Sequence, residues 1–257
     1  SSAASDVYKR QGLMKGFGQL ALNVHLNVDA TFENFFCANS DPHKLAIRTI
    51  KAKESKFLHL FGPKGSGISH LLQAVCNDLS IRKELVAYLP LCQLFQKNPV
   101  EVLDGIHEFN SICIDDIDMV TGFEDWQVEI FNLVNRIKDT GARLIIGSHR
   151  SIDYMNLSLE DLESRLKSFL GIYIPKFQDS ELIGLIYHQA SIKGLKCSEG
   201  VAEFIIKRVD RSTHEIMAIL RKLDKRSLED ARIITIPFVK QAVSYTHLRA
   251  HETGWYL

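Results

Sequence analysis

The chain has 257 residues, 46% hydrophobic and 24% charged, an ordinary composition for a soluble globular protein with one larger and one smaller domain. Lys plus Arg and Asp plus Glu both number 31, so the zero formal net charge argues against a DNA-binding protein with an overall basic footprint. Five scattered cysteines without a C-x-x-C pair fit free thiols, no apolar run nears the roughly 18 residues of a membrane span, and no signal peptide is visible, so a cytoplasmic location is expected.

Residues 1–11 (SSAASDVYKRQ) and about 243–257 (VSYTHLRAHETGWYL) lack the periodicity of the rest and resemble translated adapter sequence. Non-native tails are expected at 1–13 and 243–257, with Met14 as the native start and disordered tails as the alternative. Residues 19–24 (QLALNV) are extended in character, and a glutamine followed by alternating leucines suits a groove on a partner. An edge strand is the competing reading. Phe32, Phe35 and Phe36 follow, able to wall an adenine pocket or to fill core. A turn at 39–42 then leads to a helix from about His43 to Lys51.

The stretch FLHLFGPKGSGISH (57–70) is the centre of the chain. An apolar strand stops at Gly62, a glycine loop follows, and a helical pattern opens at Ile68 and runs through Leu79. Strand, glycine loop and helix form the setting in which backbone N–H groups surround a phosphate. Gly62, Gly67 and Ser69 fall on the pattern G-x-x-x-x-G-K-[ST], but Ile68 stands at the lysine position. The candidate nucleotide cradle is therefore Gly62, Pro63, Lys64, Gly65, Ser66, Gly67, Ile68, Ser69 and His70, with Lys64 the cation that could bend in. A plain glycine-rich turn is the alternative.

The strand 86–89 and a short helix at 99–103 come next. Ser111–Ile114 then runs into Asp115 and Asp116, the Walker B pattern, in which the first acid holds Mg²⁺ through water and the second positions a hydrolytic water. Asp125 is expected to cap a helix whose apolar positions run from Trp126 to Ile137, ended by Gly141. The strand 143–147 carries Ser148, His149 and Arg150 at its tip, facing the ligand crevice of an open α/β sheet. A helix at 159–166 holds Arg165, and the strand 171–174 closes a five-stranded parallel sheet. Past 176 only helices are expected, at 180–193, 198–209 and 213–227, with a short one from Pro237.

This set resembles an AAA+ ATPase: a P-loop α/β domain (29–175) with a small α-helical lid (176–242). ATFENFF before the loop, Ser69-His70 with Leu71-Leu72 after it, IDDI at 114–117 and SRL at 164–166 are similar to the DnaA/Hda group. QLAL near the start resembles a sliding-clamp-binding motif, and the initiator's C-terminal helix-turn-helix is not seen. The combination resembles the Hda-type regulators over about residues 19–242.

That resemblance implies docking on the DNA polymerase III β sliding clamp through Gln19, Leu20, Ala21 and Leu22, in the segment 14–28. It implies stimulated hydrolysis of DnaA-bound ATP by Arg165 as an arginine finger in trans, hence negative regulation of replication initiation. DNA would be met mainly through the clamp, and a homodimer stays open. ADP would be a structural ligand of the cradle, with Ser69 and Asp115 at any Mg²⁺, and with Asp116, Ser148 and His214 nearby. His214 stands where the lid arginine of sensor 2 is expected. Absence of both cations removes two charge-assisted phosphate contacts, each about 1.5–3 kcal/mol. Weak ADP binding and no intrinsic ATPase activity are expected. A self-sufficient ATPase or a DNA-binding initiator are the alternatives.

Overall fold

Five short apolar runs become the strands β1 (Phe57–Phe61), β2 (Val86–Pro90), β3 (Ser111–Asp115), β4 (Arg143–Ser148) and β5 (Leu170–Tyr173). They pair in parallel in the order β2-β3-β4-β1-β5 in a computed structural model that describes residues 26–37, 41–53, 55–208, 213–227 and 233–240. Both β3 and β4 are buried at every position, as central strands covered on two faces must be. Their side chains divide by parity. Ile112, Ile114, Leu144 and Ile146 enter one core, with helices α5 (Glu124–Thr140) and α6 (Glu160–Lys167). Cys113 and Ile145 enter the other, with α1 (Asp41–Ala52) and α2 (Ile68–Ile81). Alternation across one sheet between two helical layers is the doubly wound α/β arrangement expected from the sequence.

The short helices α3 (Leu91–Leu94) and α4 (Pro99–Leu103) follow β2, and Asn98 caps the latter by accepting from the Val100 N–H at 3.0 Å. One boundary differs from expectation. Asp125 is not the cap of α5; Phe123 holds that position because a 3₁₀ turn at Ile117–Val120 runs on into it through Phe123 N–H to Val120 C=O at 3.0 Å. Asp125 lies in the first turn instead, where its charge suits the positive helix end.

A second compact unit comprises Phe36–Ser40 and the chain from Lys176 on. It holds α7 (Asp179–Ile192), α8 (Glu199–Arg208), α9 (Thr213–Ser227) and a final helix at 236–240 around a core that includes Leu182, Ile186, Ile205, Ile216 and Leu220. Within it β6 (Lys196–Cys197) and β7 (Ile233–Ile234) pair in parallel, an element the all-helical expectation did not contain. Two-residue strands carry no readable alternation. Phe36 belongs here, its ring 5.6 Å from Phe177, while Phe32 and Phe35 are core of the first unit.

Arg143 carries a charge into the first unit at 7% exposure. Its guanidinium donates to the carbonyls of Ile50 (2.8 Å), Ser55 (3.1 Å) and Thr49 (3.4 Å). Thr49 and Ile50 lie in the last turn of α1, where carbonyls lack helical partners and the dipole is negative. Arg143→Met should therefore cost about 2–4 kcal/mol, seen as a lower urea midpoint. Arg143→Lys should recover only part, because an ammonium lacks the fork that reaches three carbonyls.

Candidate functional site

Strand register brings the chemistry to one end of the sheet. Phe61 lies beside Ser148 and Pro90 beside Asp115, so the glycine loop, the acid pair and the β4 tip share one crevice. The loop begins wedged: Gly62 N–H donates to Ser148 C=O at 3.2 Å, and a Cβ on Gly62 would sit 2.0 Å from Ile174 O. Ser66 N–H closes a turn onto Pro63 C=O at 3.1 Å, and Ser66 is buried. Gly65 and Gly67 take left-handed φ of 89° and 95°, a conformation glycine adopts at little cost. The first intrahelical bond of α2 is Leu71 N–H to Gly67 C=O, and no side chain caps the helix. The preceding N–H groups and the positive dipole end can therefore receive an anion. Lys64 and Ser69 are exposed.

Ile68 turns away from that anion site. It is 8% exposed and packs in the core beneath the loop. A Cβ on Gly147 would meet Ile68 Cγ2 at 2.7 Å, Leu72 Cδ1 at 2.8 Å and Asp115 Oδ1 at 3.1 Å. The side chain at the lysine position thus fills the space that a bare glycine in β4 leaves. His70 also points elsewhere, its Nε2 2.9 Å from Thr31 O. With Asn77, which donates to the carbonyls of Asn27 (3.0 Å) and Ala30 (2.8 Å), it clasps the segment before α1 onto α2.

Asp115 is 3% exposed and accepts three hydrogen bonds from protein donors. Tyr88 O–H donates to its Oδ2 at 2.7 Å, Asp116 N–H to its Oδ1 at 3.1 Å, and the Ser69 hydroxyl hydrogen-bonds to it as well. Burial, followed by the neighbouring Asp116 charge, still raises its pKa, with the three donors pulling the other way. Tyr88 is itself fixed, because Gln73 Nε2 donates to its oxygen at 3.1 Å and Gln73 Oε1 accepts from Asn27 N–H at 3.0 Å. Tyr88 and Gln73 were not among the sequence candidates. Gln73 lies one helical turn beyond Ser69, a spacing that could have flagged it.

Asp116 has a left-handed backbone, φ 57° and ψ 43°, uncommon for a non-glycine residue. Its Oδ1 lies 3.6 Å from His149 Nδ1, which is also 3.4 Å from Asp118 Oδ2. The Cys92 thiol hydrogen-bonds to Asp116 too, and burial together with that carboxylate pushes Cys92 up to about 12. Among the described residues no group of three or more His, Cys, Asp or Glu side chains could hold a metal ion unaided.

Ser148 is committed within β4 and its neighbour. Its hydroxyl donates to Arg150 C=O at 2.6 Å, and that uses its one proton. The 2.7 Å contact to His59 Nε2 must therefore be a donation from the imidazole N–H, which sets the tautomer. Burial drives the pKa of His59 down to about 4, opposed by the charge of Asp118.

Arg165 is exposed on α6, beside the buried stripe of Leu162 and Leu166. Lys167 on the same helix is tied to Glu163 at 2.6 Å and Asp153 at 3.1 Å, whereas Arg165 has no carboxylate within ion-pair distance among the described residues. The backbone of His214 lies in the first turn of α9, in the second unit; its side chain, like Gln19, Leu20, Ala21 and Leu22, lies outside what the structure describes. Among the described residues no helix is long and apolar enough to cross a membrane.

A family model for the bacterial DnaA ATPase domain matches residues 26–174, and one for the Hda lid domain matches residues 179–243. Domain III of the Thermotoga maritima replication initiation protein DnaA aligns at a TM-score of 0.71 and 22% identity, over 86% of this chain and 98% of that one. AMPPCP-bound DnaA from Aquifex aeolicus aligns at 0.66 and 20% identity, over 80% and 68%. The Thermotoga maritima RuvB Holliday junction branch migration motor aligns at 0.61 and 16% identity, over 84% and 72%. At such identities the structural likeness speaks for the fold, an AAA+ α/β unit with a lid domain after it.

His59 provides a test of the β4 tip. A buried neutral imidazole with a folded pKa near 4 and an unfolded value of 6.5 means that the unfolded chain takes up the proton first as pH falls. Stability is complete above pH 6.5 and declines toward pH 4, by about 2–3 kcal/mol at pH 4.5 from this group. His59→Gln, which keeps a donor, should flatten that acid limb in urea titrations at pH 7 and pH 4.5.

Proposed function

The chain belongs to the family of the bacterial DnaA ATPase domain and carries an Hda-type lid, and on that footing we propose that it is a regulator acting on a second ATPase. In this reading Arg165 enters the nucleotide site of ATP-bound DnaA and stabilises the charge that develops on the transferred phosphoryl group. A guanidinium suits this role because it stays charged and presents a planar fork of donors. The carrying observation is the contrast between two positions. Ile68 leaves the chain's own loop without a cation at the lysine position, while Arg165 stands exposed and unpaired with any described carboxylate.

The outcome of such an encounter is negative regulation of replication initiation. The segment Gln19-Leu20-Ala21-Leu22 serves as the anchor on the DNA-loaded polymerase III β clamp, two leucines filling apolar pockets and the glutamine fixing register. Contact with DNA then comes mainly through the clamp. The glycine loop holds ADP through backbone N–H groups, as a ligand of the fold rather than a substrate. The AMPPCP-bound DnaA structure supports the nucleotide class.

Hydrolysis of DnaA-bound ATP, measured with DNA-loaded clamp, should be stimulated by the chain and lose most of that stimulation in Arg165→Ala. Arginine fingers of GTPases contribute about 10³–10⁵ in rate, so the loss should exceed tenfold. Equal stimulation by both proteins, with clamp binding intact, would make Arg165 a surface residue and end this reading. Alone, the chain should show no ATP turnover. Turnover that disappears in Asp116→Ala would instead support a self-sufficient ATPase.

A further inference from the structure

We propose that the nucleotide this chain takes is a diphosphate free of divalent metal, because Tyr88 and Ile68 have withdrawn Asp115 from magnesium. The inference rests on the reading that the glycine loop binds ADP and adds what that site does with the metal.

Magnesium demands an octahedron of oxygens at about 2.1 Å, keeps several waters and meets a P-loop acid through accessible carboxylate lone pairs. Asp115 offers few of them, because the Tyr88 and Ser69 hydroxyls and the Asp116 N–H are already bonded to it. Its Oδ2 accepts the Tyr88 hydroxyl at 2.7 Å, and its Oδ1 accepts the Asp116 N–H at 3.1 Å. The Oδ1 side is also walled by hydrocarbon, since Ile68 Cγ2, Leu72 Cδ1 and Oδ1 all converge on the bare Cα of Gly147. At 3% exposure there is little room for the water through which a metal would be reached.

Tyr88 is not a casual partner that a metal could displace. Its oxygen accepts from Gln73 Nε2 at 3.1 Å, and Gln73 Oε1 accepts from the Asn27 backbone N–H at 3.0 Å. A backbone N–H can only donate, so every donor along Asn27, Gln73, Tyr88 and Asp115 has one direction and the chain of bonds cannot reverse. Releasing Oδ2 would leave the Tyr88 hydroxyl without its acceptor and strip a buried carboxylate of a charge-assisted bond. The loop needs no metal to receive phosphate, because its backbone N–H groups and helix end supply the positive field.

Tyr88 is thus a specificity-determining residue for the metal state of the nucleotide. Magnesium added to the solution sequesters free diphosphate and cannot improve its binding here. Equilibrium titration of the full chain with a fluorescent ADP analogue, displaced by unlabelled ADP, tests this in EDTA and in excess Mg²⁺. Affinity in EDTA should equal or exceed that in Mg²⁺. Affinity at least tenfold tighter in Mg²⁺ would overturn the proposal while leaving ADP binding intact. No binding in either solution would overturn both the proposal and the ADP reading.

The same comparison in Tyr88→Phe should show Mg²⁺ tightening ADP by several fold, since Oδ2 is then open. An unchanged ratio would overturn the role given to Tyr88 in excluding the metal. Mn²⁺ added to the wild-type complex, followed by water proton relaxation, gives a readout that needs no variant. No enhancement beyond that of Mn²⁺ with ADP alone is expected, and a clear enhancement would place a metal at the site and refute the proposal.

Discussion

Gly147 has no side chain, and the helix after the glycine loop comes down onto its bare Cα with Ile68 and Leu72. That close approach sets the depth at which α2 sits over β4, and with it the height of the loop above the sheet. It also decides the fate of the residue at the lysine position. A lysine there would have to bury an ammonium in an apolar layer or turn outward, whereas an isoleucine seats its branched side chain against the strand at no cost in charge burial. The contact that stabilises the loop is therefore the one that removes a cation from it.

The acid pair has responded to the same surroundings. Asp115 lies in a layer that Ile68 and Leu72 have dried, and a carboxylate in such a place persists only if donors surround it. Tyr88, Ser69 and the Asp116 N–H are those donors. Asp116 is drawn sideways by His149 and Cys92 on a left-handed backbone. Ser148 spends its proton within β4's own tip. Asp115, Asp116, Ser148 and Ser69 are thus each hydrogen-bonded or ion-paired to neighbouring protein groups. Arg165, on a separate helix, is exposed with no described carboxylate in ion-pair range.

Much of this could be read along the chain because it depends on neighbours in sequence. Strands of four to six residues, the glycine pattern of the loop, the double acid after β3 and Gly141 after α5 are local signals, and the structure has each of them within a residue or two of the expected place. The cap of α5 falls at Phe123 rather than Asp125 because the deciding bond comes from the preceding 3₁₀ turn, and such turns have no periodicity of their own. The β6–β7 pair escaped for the same lack of length.

By itself the sequence determined that a glycine loop lies between a strand and a helix, that two acids follow a buried strand, and that isoleucine stands at the lysine position of the pattern. It also determined that the chain divides its periodicity between an α/β part and a helical part. Only the tertiary structure decided what each polar group touches. His59 meets Ser148 from 89 residues away, Tyr88 meets Asp115 from 27, and Arg143 closes α1 from 93. Those pairings follow from β1 lying between β4 and β5, and from β2 lying beside β3. Strand order is a property of how whole faces bury against helices, and no short window of residues contains it.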